Sequence, residues 1–155
     1  MGGFTALNIA DKVGLIAFVV GGIAAVGAVI LAVIRSRHRK RNLQEGWLDP
    51  IQLQEILLGT RPLLVDLRDP EAFMGPDGHI RGSLNIPFQD LGSRIGELAT
   101  RETRPVVFVA VHEEHVREAM ALARRSGHTW VYGLDGGLAA WRRAQRPLVM
   151  PAHVG

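Results

Sequence analysis

No cysteine occurs anywhere in the 155 residues. Disulfides, thiolate–zinc sites and every form of cysteine nucleophile are therefore excluded for this polypeptide, whatever fold it adopts. Lysine is nearly as scarce: from Glu45 to Gly155 there are 12 arginines and no lysine, against 14 aspartates and glutamates. That part of the chain is slightly acidic, so the formal net charge of +3 is made earlier, in a short block holding Arg35, Arg37, Arg39, Lys40 and Arg41. A folded part without a basic surplus lacks the electrostatic footprint of nucleic-acid binding, and no nucleic-acid partner is expected. Charge of either sign, and proline with it, is missing altogether from Val13 to Ile34, a run of 22 residues.

That run has the composition of a transmembrane helix. At about 1.5 Å rise per residue it covers roughly 33 Å, enough for the roughly 30 Å hydrocarbon core of a bilayer. A buried soluble helix would not account for its lopsided flanks, Asp11 and Lys12 before it and Arg35, Arg37, His38, Arg39, Lys40 and Arg41 after it. A cleaved signal peptide would carry its positive charges on the other side. Basic residues are retained on the cytoplasmic side, so residues 1–12 are expected outside and the C-terminal bulk in the cytoplasm, as a single-pass membrane protein. Gly21, Ala24, Ala25, Ala28 and Ala32 recur at helical spacing, which lets a second helix approach closely, although small residues are common in membrane helices anyway. The basic block, within a linker over 35–46, is placed to meet anionic lipid head groups at about 1 kcal/mol per residue.

The remaining residues, about 110, suffice for one compact domain, expected over 47–147 with a tail over 148–155. Asp49-Pro50 reads as a helix start, with Gln52 completing a capping box, Leu53, Ile56 and Leu57 as the apolar face and Gly59 as the stop. Strand and helix patterns then alternate. The strands are expected at Pro62 to Arg68, Leu84 to Pro87, Val106 to Val109 and Trp130 to Tyr132. The helices are expected at Asp69 to Phe73, around Ile95 and Leu98, at His115 to Ser126 and at Leu138 to Arg143. This is βα alternation around a parallel sheet, the α/β class.

The chain here resembles the rhodanese-like family. The residues that carry the resemblance are Val65-Asp66-Leu67-Arg68, the run Gly78-His79-Ile80-Arg81-Gly82-Ser83-Leu84-Asn85-Ile86-Pro87, the strand from Val106, Gly127-His128, and Gly136-Gly137-Leu138 with Trp141. The resemblance implies a three-layer domain around a central, mostly parallel sheet. Together with the apolar run, the chain looks like the membrane-anchored rhodanese-like proteins of bacteria.

In that family the strand corresponding to Val106–Val109 ends in a catalytic cysteine, which opens a loop wrapped round the sulfur. Ungapped counting from Pro105 to Gly127 places Ala110 at that position. Sulfur transfer needs a thiolate that attacks the donor and carries the persulfide, and a methyl group does neither. The resemblance thus implies a scaffold without sulfurtransferase activity and with no cofactor. Where active members cradle an anion, the loop continues Val111-His112-Glu113-Glu114-His115, and its glutamates complement the helix dipole themselves while repelling thiosulfate. The same four polar residues could be read as metal ligands, but the spacing is wrong for the zinc helix in which two histidines four apart flank a glutamate. Asp66 and Arg68 are candidates to line the pocket or, as a pair, to fix adjacent loops. His79 is expected to hold a loop by hydrogen bonding, Trp141 to lie in the core, and Trp47, just after the basic block, to sit at the bilayer interface.

Three functions fit these expectations. One is a catalytically silent module acting as an interaction or accessory subunit of a membrane assembly, bound to other subunits through the membrane helix or the cytoplasmic domain. Another is a sensor that binds a small molecule or a metal in the altered pocket. The third is a sulfurtransferase-related protein working with a partner's cysteine.

Overall fold

The structure, a computed structural model, describes residues 18, 20–33, 36, 45–98 and 104–151. It divides into two units, Met1–Arg41 and Asn42–Gly155. In the first unit, residues 20–33 form helix α1, whose apolar side chains point outward all round: Ile23, Val26 and Val29 are 68%, 59% and 62% exposed. Among the described residues no helix is long and apolar enough to cross a membrane. Residues 13–17, Ile34 and the whole basic block, on which the expected span and its orientation also rest, lie outside the described residues.

The second unit is built on a five-stranded parallel sheet in the order β1-β5-β4-β2-β3. Its strands are β1 (Trp47–Leu48), β2 (Leu63–Asp66), β3 (Leu84–Asn85), β4 (Val106–Val109) and β5 (Val131–Leu134). Between them run α2 (Pro50–Gly59), α3 (Pro70–Met74), α4 (Leu91–Arg94), α5 (Glu113–Arg125) and α6 (Gly137–Arg143), with 3-10 turns at Phe88–Asp90 and Ile95–Leu98. β4 lies mid-sheet and all four of its residues are buried, which is why its sequence is continuously apolar rather than alternating. Its side chains feed two cores. Val106 and Phe108 pack with Val116, Ala119 and Met120 of α5, whereas Val107 and Val109 pack with Leu53 of α2 and Leu138 and Trp141 of α6. The domain is therefore three layers, helices over both faces of the sheet.

Local chemistry fixes the ends of these elements. Asp49 Oδ1 accepts the N–H groups of Ile51 and Gln52, each at 2.8 Å, and Gln52 Oε1 accepts the Asp49 N–H at 2.8 Å. This reciprocal cap contributes about 1 kcal/mol at the start of α2. α5 carries Glu113 and Glu114 in its first turn and Arg124 and Arg125 in its last, both favourable to the helix dipole.

Two expectations change. Trp47 is not at a lipid interface: it is 5% exposed, opens β1 and pairs with Gly133 of β5. Glycine is needed there, since a Cβ at position 133 would stand 2.8 Å from the indole, and Arg117 covers the ring with its guanidinium carbon 5.3 Å from the centroid. Burying the ring in the core removes it from any bilayer. Around Ile95 and Leu98 there is no amphipathic α-helix but the single turn of α4 followed by a 3-10 turn, which suffices to bury Leu98. The start of the C-terminal tail lies on the domain, because Val149 and His79 exchange backbone hydrogen bonds of 2.8 and 3.0 Å in an antiparallel bridge.

Candidate functional site

Parallel strands bring the C-terminal ends of β2 and β4 to one edge of the sheet, and the candidate site is assembled there. Ala110 follows β4 directly, 4% exposed, and Val111 and His112 turn the chain into α5. The loop is held from behind by Gly137, which has φ +56° and stands against the Ala110 carbonyl so closely that any side chain would collide with it. The glycine pair before Leu138 is thus a requirement of the site.

Two shallow cavities flank the loop. One, of about 250 Å³, is lined by Leu67, Arg68, Phe88, Ala110, His112 and His115. The other, of about 220 Å³, lies beside α6, with Arg68, Ala110, Leu138 and Arg142 in its wall. Val111 borders both and is 74% exposed. No thiol or hydroxyl group lines either cavity among the described residues.

Asp66, Arg68, His112, His115 and Glu113 at this edge are already engaged. Arg68 binds Asp66 through Nε, at 2.9 and 3.1 Å, and through a terminal nitrogen at 2.7 Å; it also donates to the carbonyls of Ala72 at 3.2 Å and Gly78 at 2.9 Å. Asp66 and Arg68 are 1% and 7% exposed, so the pair is a buried clamp joining β2 to the loops at Ala72 and Gly78. Arg68 lines both cavities with its charge neutralised, whereas Asp66 lines neither. His115 stacks on Phe88 with ring centroids 4.1 Å apart, and His112 meets His115 edge-on at 5.4 Å. Glu113 turns back along α5 to pair with Arg117, and neither Glu113 nor Glu114 lines a cavity. Among the described residues no three histidine, aspartate or glutamate side chains converge as metal ligands.

Of the residues singled out in the sequence, the structure brings Ala110, Val111, His112, His115 and Arg68 together around one cavity. Leu67, Asp69, Ala72, Phe88 and Gln89 complete its wall, residues that the sequence did not single out as pocket lining. His79 holds its loop, with Nδ1 3.1 Å from the Phe73 carbonyl and its ring stacked on Phe73 at 3.9 Å. Gly21, Ala24, Ala25, Ala28 and Ala32 are all exposed on α1. Arg35, Arg37, Arg39, Lys40 and Arg41 lie outside the described residues.

The family profile described as rhodanese-like domain matches residues 49–144. The chain is 36% identical over 93 residues to the thiosulfate sulfurtransferase GlpE of Shewanella oneidensis, a match over 60% of this chain and 88% of that one. It is also 36% identical over 78 residues to the uncharacterized protein YqhL of Bacillus subtilis, spanning 59% of that protein and 50% of this chain. Among solved structures, the rhodanese-like domain of the Anabaena Alr3790 protein superposes with a TM-score of 0.59 at 28% identity, over 70% of this chain and 82% of that domain. A thiosulfate sulfurtransferase from Pseudomonas aeruginosa gives a TM-score of 0.59 at 26% identity, over 68% of this chain and 20% of that one. A profile match over residues 49–144, from α2 through α6 of the three-layer domain, makes this chain a member of the rhodanese-like domain family, and one without any cysteine.

Proposed function

We propose that this protein is a membrane-anchored, catalytically inactive rhodanese-like module that serves as an interaction or accessory subunit of a membrane protein assembly. The observation that carries the inactivity is Ala110 at the end of β4, in a chain with no cysteine to replace it. A thiosulfate sulfur arriving in the 250 Å³ cavity meets a methyl group, two imidazoles occupied in ring packing and an arginine bound by Asp66. None of these takes up a sulfane sulfur and passes it on.

The anchoring is supported by α1. A helix that is apolar on every side is stable only when surrounded by protein or lipid, and its described side chains are exposed. Lipid supplies the missing surroundings, and the block from Arg35 to Arg41 then lies on the cytoplasmic side. An intact scaffold on an anchor, with its nucleophile gone, is suited to binding rather than turnover.

Purified full-length protein assayed with thiosulfate and cyanide is expected to form thiocyanate at the rate of the buffer alone. Turnover above that rate which survives repurification would overturn the inactivity. Alkaline carbonate extraction tests the anchor: the protein is expected to stay with the membrane pellet, and release into the supernatant would overturn it.

A further inference from the structure

Because the five strands run parallel, the domain has two chemically unlike edges. Where the strands end, the residues that follow them or open the next helix include Asp49, Asp69, Glu71, Glu113, Glu114 and Asp135. The opposite edge is defined by register: the Leu63 N–H donates to the Pro105 carbonyl at 2.8 Å, the Val106 N–H to the Trp130 carbonyl at 2.8 Å, and the Gly133 N–H to the Gly46 carbonyl at 2.9 Å. Arg61, Arg104, Trp130 and Glu45 are thereby set along one rim. α2 and α5 run back against the strands and finish on the same rim, adding Leu58, Arg124 and Arg125.

This rim combines four arginines and one glutamate with two uncovered apolar side chains, Leu58 at 78% and Trp130 at 57% exposure. Arg94 and Glu97, on the turns leading towards β4, neutralise each other. A nearly neutral domain thus separates its charge along the strand direction, acid at the edge of Ala110 and base at the other. Glu45, two residues before β1, is also the first described residue of the domain. Arginine binds phosphate as a fork, and an indole with one apolar and one polar side is favoured at the head-group level of a bilayer.

We propose that this rim is the face by which the domain lies on an anionic membrane surface, with Arg61 and Arg125 on lipid phosphates and Trp130 and Leu58 among the head groups. The inference rests on the reading of residues 13–34 as an anchor. It turns the edge that carries Ala110, Val111 and the two cavities away from the lipid, where a partner subunit can reach it. Arg124 is tied to the Val131 carbonyl at 3.1 Å and supports the rim from within.

The test uses the full chain in nanodiscs of phosphatidylcholine alone, or with phosphatidylglycerol in a three-to-one ratio, containing lipids brominated near the head group. Trp47 and Trp141 are buried, so quenching of tryptophan fluorescence reports Trp130, and Trp130→Phe measures the remainder. Quenching is expected to rise about twofold from neutral to anionic discs, and to fall back to the neutral level in Arg61→Ser/Arg125→Ser, whose side chains are exposed and replaceable without loss of fold. Equal quenching in both discs for an inserted protein overturns the proposal while leaving the anchor intact. Shielding of Trp130 only when another protein is present assigns the rim to that protein and also overturns it. Failure to insert into either disc overturns the anchor, and this face with it.

Discussion

Phe88 and His115 lie face to face beside Ala110, their ring planes within 7° and their centroids 4.1 Å apart. The stack closes one wall of the site and commits an imidazole that the sequence offered as a ligand. Replacing His115 by alanine is expected to cost about 1 kcal/mol of stability, the worth of an aromatic stack beyond its buried area. Urea unfolding of His115→Ala measures it, and an unchanged midpoint would show that the stack contributes nothing.

The Asp66–Arg68 clamp gives the largest expected effect. Arg68→Met leaves a carboxylate that is 1% exposed without its counter-charge, at a cost of about 3–5 kcal/mol. Exchanging both residues for apolar ones of similar volume restores much of the loss, because no buried charge is then left over. Chemical denaturation of the single and double variants checks both statements. Equal losses in the two would mean that Arg68 acts through packing alone.

These two sites also show what a linear sequence reveals. The Asp66–Arg68 pair was legible as a clamp because two residues at the end of a buried strand have few other ways to satisfy their charges. The capping box at Asp49 and Gln52 and the buried run of β4 were legible because their chemistry is local. β1 was not: two residues of strand carry no periodicity, and Trp47 beside a basic block matches the pattern of a lipid-facing indole. Its burial depends on Gly133, more than eighty residues away, which leaves room for the ring. The Phe88–His115 stack and the Val149–His79 bridge were hidden for the same reason, being contacts made only once the sheet order is known.

Restoring the thiol separates the missing nucleophile from the altered loop. Ala110→Cys is expected to fold normally, since a sulfur can extend into the adjoining cavity, yet to react slowly with thiosulfate because Glu114, and Glu113 in so far as Arg117 leaves it unneutralised, add negative charge to the first turn of α5 behind the loop. Adding Glu113→Gln and Glu114→Gln is expected to speed the reaction by about tenfold, equivalent to about 1.4 kcal/mol. Thiocyanate formation by the two variants decides the matter. A fast single variant would mean that the loop has kept its anion cradle and lost only the sulfur.

A small pH effect belongs to the pair outside the core. The hydrogen bonds from Arg94, at 2.7 and 2.9 Å, hold the Glu97 carboxyl below its ordinary value of 4.5, outweighing a slight opposing effect of burial. A lowered folded-state value gives stabilisation that is present above pH 4.5 and is lost as the pH falls through the folded-state value. Wild type is therefore expected to melt slightly above Glu97→Gln at neutral pH, with the gap closing in acid. Melting curves across that range test it, and a gap that widens in acid would contradict the assignment.

On the proposed function, this rhodanese-like scaffold works by association and not by sulfur transfer. Gentle detergent extraction of native membranes, followed by native gel migration and mass spectrometry of whatever comigrates, tests it most directly. A defined large complex with partners in fixed stoichiometry is expected. Migration alone or as a small homo-oligomer would contradict it.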